Sequence, residues 1–484
     1  MPPFKFCGPS YTAQSPIIDD EIAMNCYCEA SESAGAATDI ALLHTPGRKK
    51  FATLAEGSVP NGFTVNGRTF FASSSLWELD AAGTKTNRGS LGAAPTRPTM
   101  ILSNETQLVI LNNGNLFVLT LATNAFIVVN MGQFNGPINQ ISFLAGYVVA
   151  TLQNSHTFQV SQLEDATTWS GLDIATISYF PDNIVSMICD HNETWFWGGK
   201  KALGYYVSQG LTFPPLIPIQ GAFMENGSGA TFATVQADNS VFWLDQDERG
   251  FMVARRLNGY AGDRVSTHAV ELAWQSYKTA SDAVGWTYQE QGHTFWVLYF
   301  PTANATWCFD ISQNLWHQRG FYVAANGTYI ADRAMCHTFN FGKHLVGDWA
   351  SGNVYDLSSN YFDDDGAIIR GWRRTPTVAD ENQWLYFDEI EFILQTGQKP
   401  TVPLLDGDGN PRPAQLMLRW SNDGGKTWSN TYYLSVGLEG EYDKRVIKRM
   451  LGRARKRLWD VTWTDPIAWQ FNNAFLKVRK EKIA

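Results

Sequence analysis

The 484-residue chain predicts an all-β fold: a β-propeller of about seven blades, with an N-terminal extended arm and a C-terminal β-domain carrying one Asp-box hairpin. Three observations carry this. Aromatic residues make up 13% of the chain against 17% charged, a balance that suits pleated, half-buried strands rather than solvated helices or disorder. Glycine is plentiful, at 41 residues, and sits with Asn and Asp in short polar turns. A strand–turn–strand theme then recurs about every 40 to 55 residues, the length of a four-stranded blade.

Residues 1–55 read as an extended arm. Turn formers dominate there, including Pro2-Pro3, Gly8-Pro9, Ser15-Pro16 and the stretch Ser31 to Ala37, and strand patterns are few. An arm of this kind covers the edge strands of its own domains or lies across a neighbouring subunit.

Residues 56–371 carry the repeats, in about seven passes. Each pairs two apolar or aromatic strands: Thr69 to Phe71 with Leu76 to Leu79, Leu108 to Leu111 with Leu116 to Leu119, and Tyr147 to Val149 with Thr157 to Val160. Next come Thr194 to Trp197 with Gly204 to Tyr206, Ser240 to Trp243 with Gly250 to Val253, Thr294 to Val297 with Thr306 to Phe309, and His344 to Val346 with Gly352 to Tyr355. Turns such as Asn112-Asn-Gly114 and Asp247-Glu-Arg-Gly250 suit hairpins. Two stacked sandwiches are the rival arrangement, since they also space short strands regularly.

From 372 to 484 the strands lengthen, as in Gln383 to Leu394, which marks a separate C-terminal β-domain. Its landmark is Ser421-Asn-Asp423-Gly-Gly425-Lys-Thr427-Trp428, the S-x-D-x-G-x-T-W spacing of an Asp-box. Asp423 can accept from turn amides, the glycines permit positive φ, and Trp428 can fold under the turn. That is a folding device rather than a reaction centre.

Catalytic and metal constellations fail on their spacing. A sialidase repeats the Asp-box along several blades and needs an arginine cluster with a tyrosine nucleophile, whereas one box stands here. Asp406-Gly-Asp408-Gly-Asn410 opens like a calcium loop, but Pro411 and Met417 occupy positions that need Gly and Glu. Asp363-Asp-Asp365-Gly366 reads as a polar turn, and so do N-x-[ST] triplets such as Asn104-Glu-Thr106. The histidines are scattered, the six cysteines include no C-x-x-C, and Cys26 and Cys28 read as free thiols. Neither a phosphate-binding loop nor a G-x-S-x-G elbow occurs, so no catalytic residue, cofactor or metal is expected. The opening residues lack a signal-peptide pattern and no apolar run reaches membrane-spanning length, so an assembly site in the cytoplasm and no membrane insertion are expected.

Charge divides the molecule. From Lys444 onward about 12 cations face about 3 acids, which leaves about −18 on the preceding chain. Lys444, Arg445, Lys448, Arg449, Arg453, Arg455, Lys456 and Arg457 form a candidate docking run. Alternation of Arg453, Arg455 and Arg457 predicts one strand face for those three, with Glu439 and Glu441 as the nearest balancing acids.

The order of motifs adds a resemblance. The Asp-box is followed by Leu438-Glu-Gly-Glu-Tyr442, then Arg449-Met-Leu451-Gly452-Arg453-Ala454-Arg455, then Asp465-Pro466. Near the start stand Asn25-Cys-Tyr27-Cys-Glu29 and Thr45-Pro46-Gly47. This sequence of motifs resembles the nozzle proteins of short-tailed bacteriophages, also called tail-hub or packaged-DNA stabilisation proteins, over the whole chain. The resemblance implies a structural virion protein, assembled in the host cytoplasm, that forms a homo-oligomeric, hexameric ring below the portal and adaptor. Its implied neighbours are the portal-adaptor protein and the tail needle, tailspike or fibre proteins, with double-stranded DNA passing through the lumen without specific binding. Arg48 departs from the family pattern, which usually has an apolar residue after Thr-Pro-Gly.

Overall fold

Two-residue turns with both φ angles positive set the architecture. Asn66-Gly67, Ala145-Gly146, His191-Asn192, Asp238-Asn239, Gln291-Gly292 and Phe341-Gly342 each join the first two strands of a blade, in six of seven blades. This is the turn whose twist matches the right-handed twist of paired strands, and it fixes register at the same point of those six repeats. In this computed structural model, described over residues 4–15, 19–33, 39–54, 57–132, 136–179, 181–208 and 214–480, five blades are four-stranded sheets in chain order. They run from Asn61–Val65 through Ala261–Arg264. The sixth, Val284–Glu290 to Leu315–Val323, continues into a larger sheet. The seventh has only three consecutive strands, Ala334–Asn340, Lys343–Asp348 and Asn353–Ser358, and is completed by Gly47–Thr53 from the arm.

Burial closes the circle. A separate apolar cluster lies between each pair of neighbouring blades, for example Leu108, Ile110 and Phe70 between the first and second. Trp197 and Trp243 meet between the fourth and fifth, and Phe71, Leu79 and Leu345 join the first blade to the seventh. Seven such interfaces, each filled by apolar side chains, are what a toroid of twisted sheets requires and what two stacked sandwiches would not produce. The one helix among the described residues, His268–Gln275, fills a connector and buries Val270 and Trp274 against the fifth and sixth blades.

The C-terminal domain is a β-sandwich. One sheet orders Asp20–Met24, Gly371–Arg374, Lys456–Trp463, Gln415–Ser421 and Tyr432–Ser435. The other orders Cys26–Ala30, Ile40–His44, Gln470–Lys480, Leu385–Leu394 and Val446–Arg449. Its core includes Trp459, Trp463, Phe387, Leu416 and Phe471, all nearly inaccessible. The arm is therefore extended and strand-forming: Tyr11–Thr12 and Asp20–Met24 join one sandwich sheet, Cys26–Ala30 and Ile40–His44 the other, and Gly47–Thr53 the last blade. Pro2-Pro3, Pro16 and most of the stretch to Ala37 lie outside the described residues.

Candidate functional site

The junction between propeller and sandwich is built from polar side chains that the arm carries into the interior. Asn25, with φ 55°, turns the chain from one sandwich sheet to the other. Left-handed backbone is available to Asn at low cost. Its side chain donates to the carbonyls of Gly320 at 2.8 Å and Arg370 at 3.0 Å, and its Oδ1 accepts from Gly320 N at 2.8 Å. One residue thus ties the arm, the sixth blade and the interdomain link.

Arg48, only 2% exposed, does the same for the seventh blade. Its Nε and Nη2 grip both oxygens of Asp364 at 3.0 and 2.7 Å, and Nη1 donates to Asp332 at 3.0 Å. Burial raises the pKa of Asp364 and the adjoining guanidinium opposes that shift. The departure from the family pattern is thus a buried ion triad in which Asp364 supplies the partner. Arg373 is wholly buried and donates to the carbonyls of Phe6 and Pro9 and to Glu21, while Arg374 bridges Asp20 and Asp460. Sequence reasoning missed all four anchors, since each depends on partners hundreds of residues away.

The Asp-box forms its expected local network. Asp423 Oδ1 accepts from Ser421 Oγ at 2.7 Å and from the amides of Lys426 and Thr427 at 2.9 Å, and Oδ2 accepts from Thr427 Oγ1 at 2.6 Å. These donors hold the Asp423 carboxyl well below the usual carboxylate range. Gly425 has φ 88° and its carbonyl accepts from Trp428 Nε1 at 3.1 Å. The Trp428 ring folds back on the turn and is half-buried; its face also meets the guanidiniums of Arg374 and Arg419, 4.8 and 4.6 Å from the centroid, because both arginines converge on the buried Asp460 beside it.

The basic run separates into three environments. Arg445 pairs with both oxygens of Glu391 at 2.7 Å, and Arg449 with Glu389 at 2.6 Å, across the pairing of Leu385–Leu394 with Val446–Arg449. The balancing acids are thus Glu389 and Glu391; Glu441 instead accepts from the amide of Leu438 in its own turn. Lys444 is exposed, and Lys448 sits over the Tyr432 ring at 4.1 Å.

Arg457 corrects the expected single face. A bend at Arg455 separates Arg453–Ala454 from Lys456–Trp463, so the alternation is broken and Arg457 turns inward, 1% exposed. There it lies over Phe387 at 4.2 Å and donates to Asn422 Oδ1 and Leu451 O, both at 2.8 Å. Burial without a carboxylate pushes its pKa down to about 10. It therefore scaffolds the surface rather than belonging to it.

Arg453, Arg455 and Lys456 remain outside and line a groove of about 590 Å³ with Trp384, Asn382 and Asn422. Both guanidiniums stack on Trp384, at 4.7 and 5.1 Å. Among the described residues none of the three cations forms a salt bridge.

Comparison with known families uses both domains. The family model described as the β-propeller of bacteriophage P22 Gp10 matches residues 14–361, and the one described as its β-sandwich matches 372–478. The chain belongs to the bacteriophage P22 Gp10 family. It is accordingly a phage tail structural protein of the nozzle type, with the propeller and sandwich that the Gp10 models name. No curated protein matches the sequence. Among solved structures, the N-terminal domain of Nup159 is similar at 10% identity and TM-score 0.42, over 70% of this chain and 98% of that one. PorZ, a surface component of the type-IX secretion system of Porphyromonas gingivalis, is similar at 11% identity and TM-score 0.39, over 79% of this chain and 46% of that one. No helix among the described residues of this Gp10-family chain is long and apolar enough to cross a membrane.

The acidic stretches accept from backbone amides, in their own turns or, for Asp365, from the arm strand. Asp406 Oδ1 accepts from the amides of Asp408 and Asn410, Asp363 from Gly366, and Asp365 from Lys50. Asn104 likewise accepts from Thr106 and Gln107. All six cysteines are free, and burial raises every thiol, Cys28 to about 12.

Proposed function

We propose that this chain is the ring-forming tail nozzle of its virion. Copies of it, six as the resemblance implies, join the portal-adaptor assembly, retain the packaged genome and form the conduit for its ejection. The observation that carries this reading is the match to both Gp10 domain models, which together reach from residue 14 to residue 478. The build of the molecule supports it. Strands from the arm cross-link both domains, so a load applied to the sandwich reaches the propeller through paired backbone and buried ion pairs rather than through a free linker.

The role is structural rather than enzymatic. The candidate carboxylates are committed to turns and to arginines, and the thiols are held protonated by burial. The excess acidity outside the C-terminal segment suits a lumen lined by Asp and Glu, over which a duplex slides instead of binding. Docking to other tail proteins then falls to the exposed part of the basic run, Lys444, Arg453, Arg455 and Lys456. Electron microscopy of the purified chain, together with particles assembled without it, tests the reading. Rings, and filled heads that lose their DNA when the chain is missing, are expected; a monomer at high concentration with DNA retained normally overturns it.

A further inference from the structure

Resting on the tail-protein reading, we propose that the groove between Trp384 and the segment 453–456 captures an extended acidic peptide segment of another tail protein. The argument begins with what the surrounding cations do. Arg445, Arg449, Arg479 and Lys480 are neutralised in place by Glu391, Glu389, Asp388 and Asp380. Arg453, Arg455 and Lys456 stand apart in having no such partner among the described residues, and all three open into one groove.

The guanidiniums are also pre-set. Both guanidiniums lie over the Trp384 ring, and apart from Arg453 Nη1, which donates to the Tyr386 hydroxyl at 3.4 Å, their N–H groups remain for carboxylates, which arginine grips in a two-point fork. Because the ring already restricts both side chains, less rotamer freedom is lost on binding. The opposite wall is fixed as well. Arg457 Nε holds the Asn422 carbonyl oxygen, which leaves the Asn422 NH₂ to donate, for instance to a peptide carbonyl. Asn422 in turn sits inside the Asp-box, between Ser421 and Asp423, whose mutual hydrogen bond holds the turn. A groove of about 590 Å³ accommodates a few residues of extended chain.

A peptide fits better than nucleic acid. A duplex carries a phosphate charge about every 1.7 Å of its axis and is held by a stripe of cations that tracks it. Here Arg445, Arg449 and Arg479 are already paired with carboxylates, so the unpaired arginines are confined to the groove rather than continued in a stripe.

The test uses the full chain and fluorescence polarisation with a labelled Asp/Glu-rich peptide, its Asn/Gln counterpart and a short DNA duplex. The acidic peptide is expected to bind, with an affinity that falls as salt rises, and the amide counterpart is not. Arg453→Ser with Arg455→Ser should weaken binding about a hundredfold, while Arg445→Ser with Arg449→Ser, whose guanidiniums are already occupied, should change it by about twofold or less. Both double variants replace exposed side chains, and circular dichroism confirms their fold. Undiminished peptide binding by the Arg453/Arg455 variant overturns the proposal, as does a duplex that binds in place of the peptide at physiological salt. Incorporation of each protein into particles separates the two readings. Normal incorporation of wild type without peptide binding removes the groove and leaves the nozzle, whereas absence of the wild-type chain from tails removes both.

Discussion

Replacing Arg48 by Met should loosen the seventh blade from the arm and do so in a pH-dependent way. The substitution keeps most of the side-chain volume but deletes three charge-assisted hydrogen bonds, at 3.0, 2.7 and 3.0 Å, to Asp364 and Asp332. Removing one partner of a buried ion pair typically costs about 3–5 kcal/mol, because the remaining charge stays buried without compensation. Asp364 is that remaining charge. Its pKa is already raised by burial, with Arg48 as the main opposing influence, so deleting Arg48 raises the folded value further. The folded state then holds a proton that the unfolded state releases. Stability of Arg48→Met therefore recovers as pH falls, by about 1.4 kcal/mol per unit between the folded pKa and the ordinary carboxyl value. Urea denaturation followed by near-ultraviolet circular dichroism at about pH 8 and about pH 5 reads both effects. Adding Asp364→Leu should recover part of the loss at the higher pH, since an apolar replacement of a buried ionic partner is often close to neutral. A loss under about 1 kcal/mol, or an equal loss at both pH values, would refute the reasoning.

Asn25→Ala leaves Gly320 N–H and the carbonyls of Gly320 and Arg370 without their partner and puts at φ 55° a residue that lacks asparagine's tolerance of left-handed backbone, so a loss of about 3 kcal/mol or more is expected in the same assay. Asn25→Gly should recover only the backbone part. Asp423→Ala removes the acceptor that closes the Asp-box and should lower the urea midpoint of the sandwich without moving that of the propeller; Asp423→Asn, which keeps one acceptor oxygen, should fall between the two. The isolated protein should show no measurable binding to a DNA duplex at physiological salt in a mobility-shift assay, and tight binding would contradict an acidic conduit.

The seven passes legible in the sequence are the second and third strands of each blade, where apolar residues crowd because both faces are covered, as in Leu108 to Leu111 and Leu116 to Leu119. The fourth strands of the first and fifth blades are mostly exposed and carry little pattern; Lys85–Ser90 and Ala261–Arg264 contain no large apolar residue. Strands of the arm are hidden for another reason: Gly47–Thr53 reads as part of an extended arm until its neighbour, the strand Asn353–Ser358, is known. The short helix completes barely two turns, too few for its period to stand out. At the candidate site the Asp-box was legible because its bonds span at most four residues. The division of the basic run was not, since the pairing of Arg445 with Glu391 reaches across 54 residues and the inward turn of Arg457 depends on a bend that alternation alone does not reveal.

The last blade is completed by the beginning of the chain, and this has a consequence for biosynthesis. Thr53 leaves the ribosome 300 residues before Asn353, whose side chain it will meet, and Cys7 precedes its contact Phe471 by 464. At about 5–20 residues per second, the arm waits roughly 15 to 90 seconds with its strand edges unpaired while everything it must join is still being made. Through that interval the run Arg48-Lys49-Lys50 keeps the strand charged and discourages pairing with another nascent chain, in the way lysine-bearing edges do in finished sheets. The same cations then change employment: Arg48 is buried between two carboxylates and Lys49 settles over the ring of Tyr361. The propeller cannot close before Asn353–Ser358 has been made, and the sandwich must wait longer still, for Gln470–Lys480.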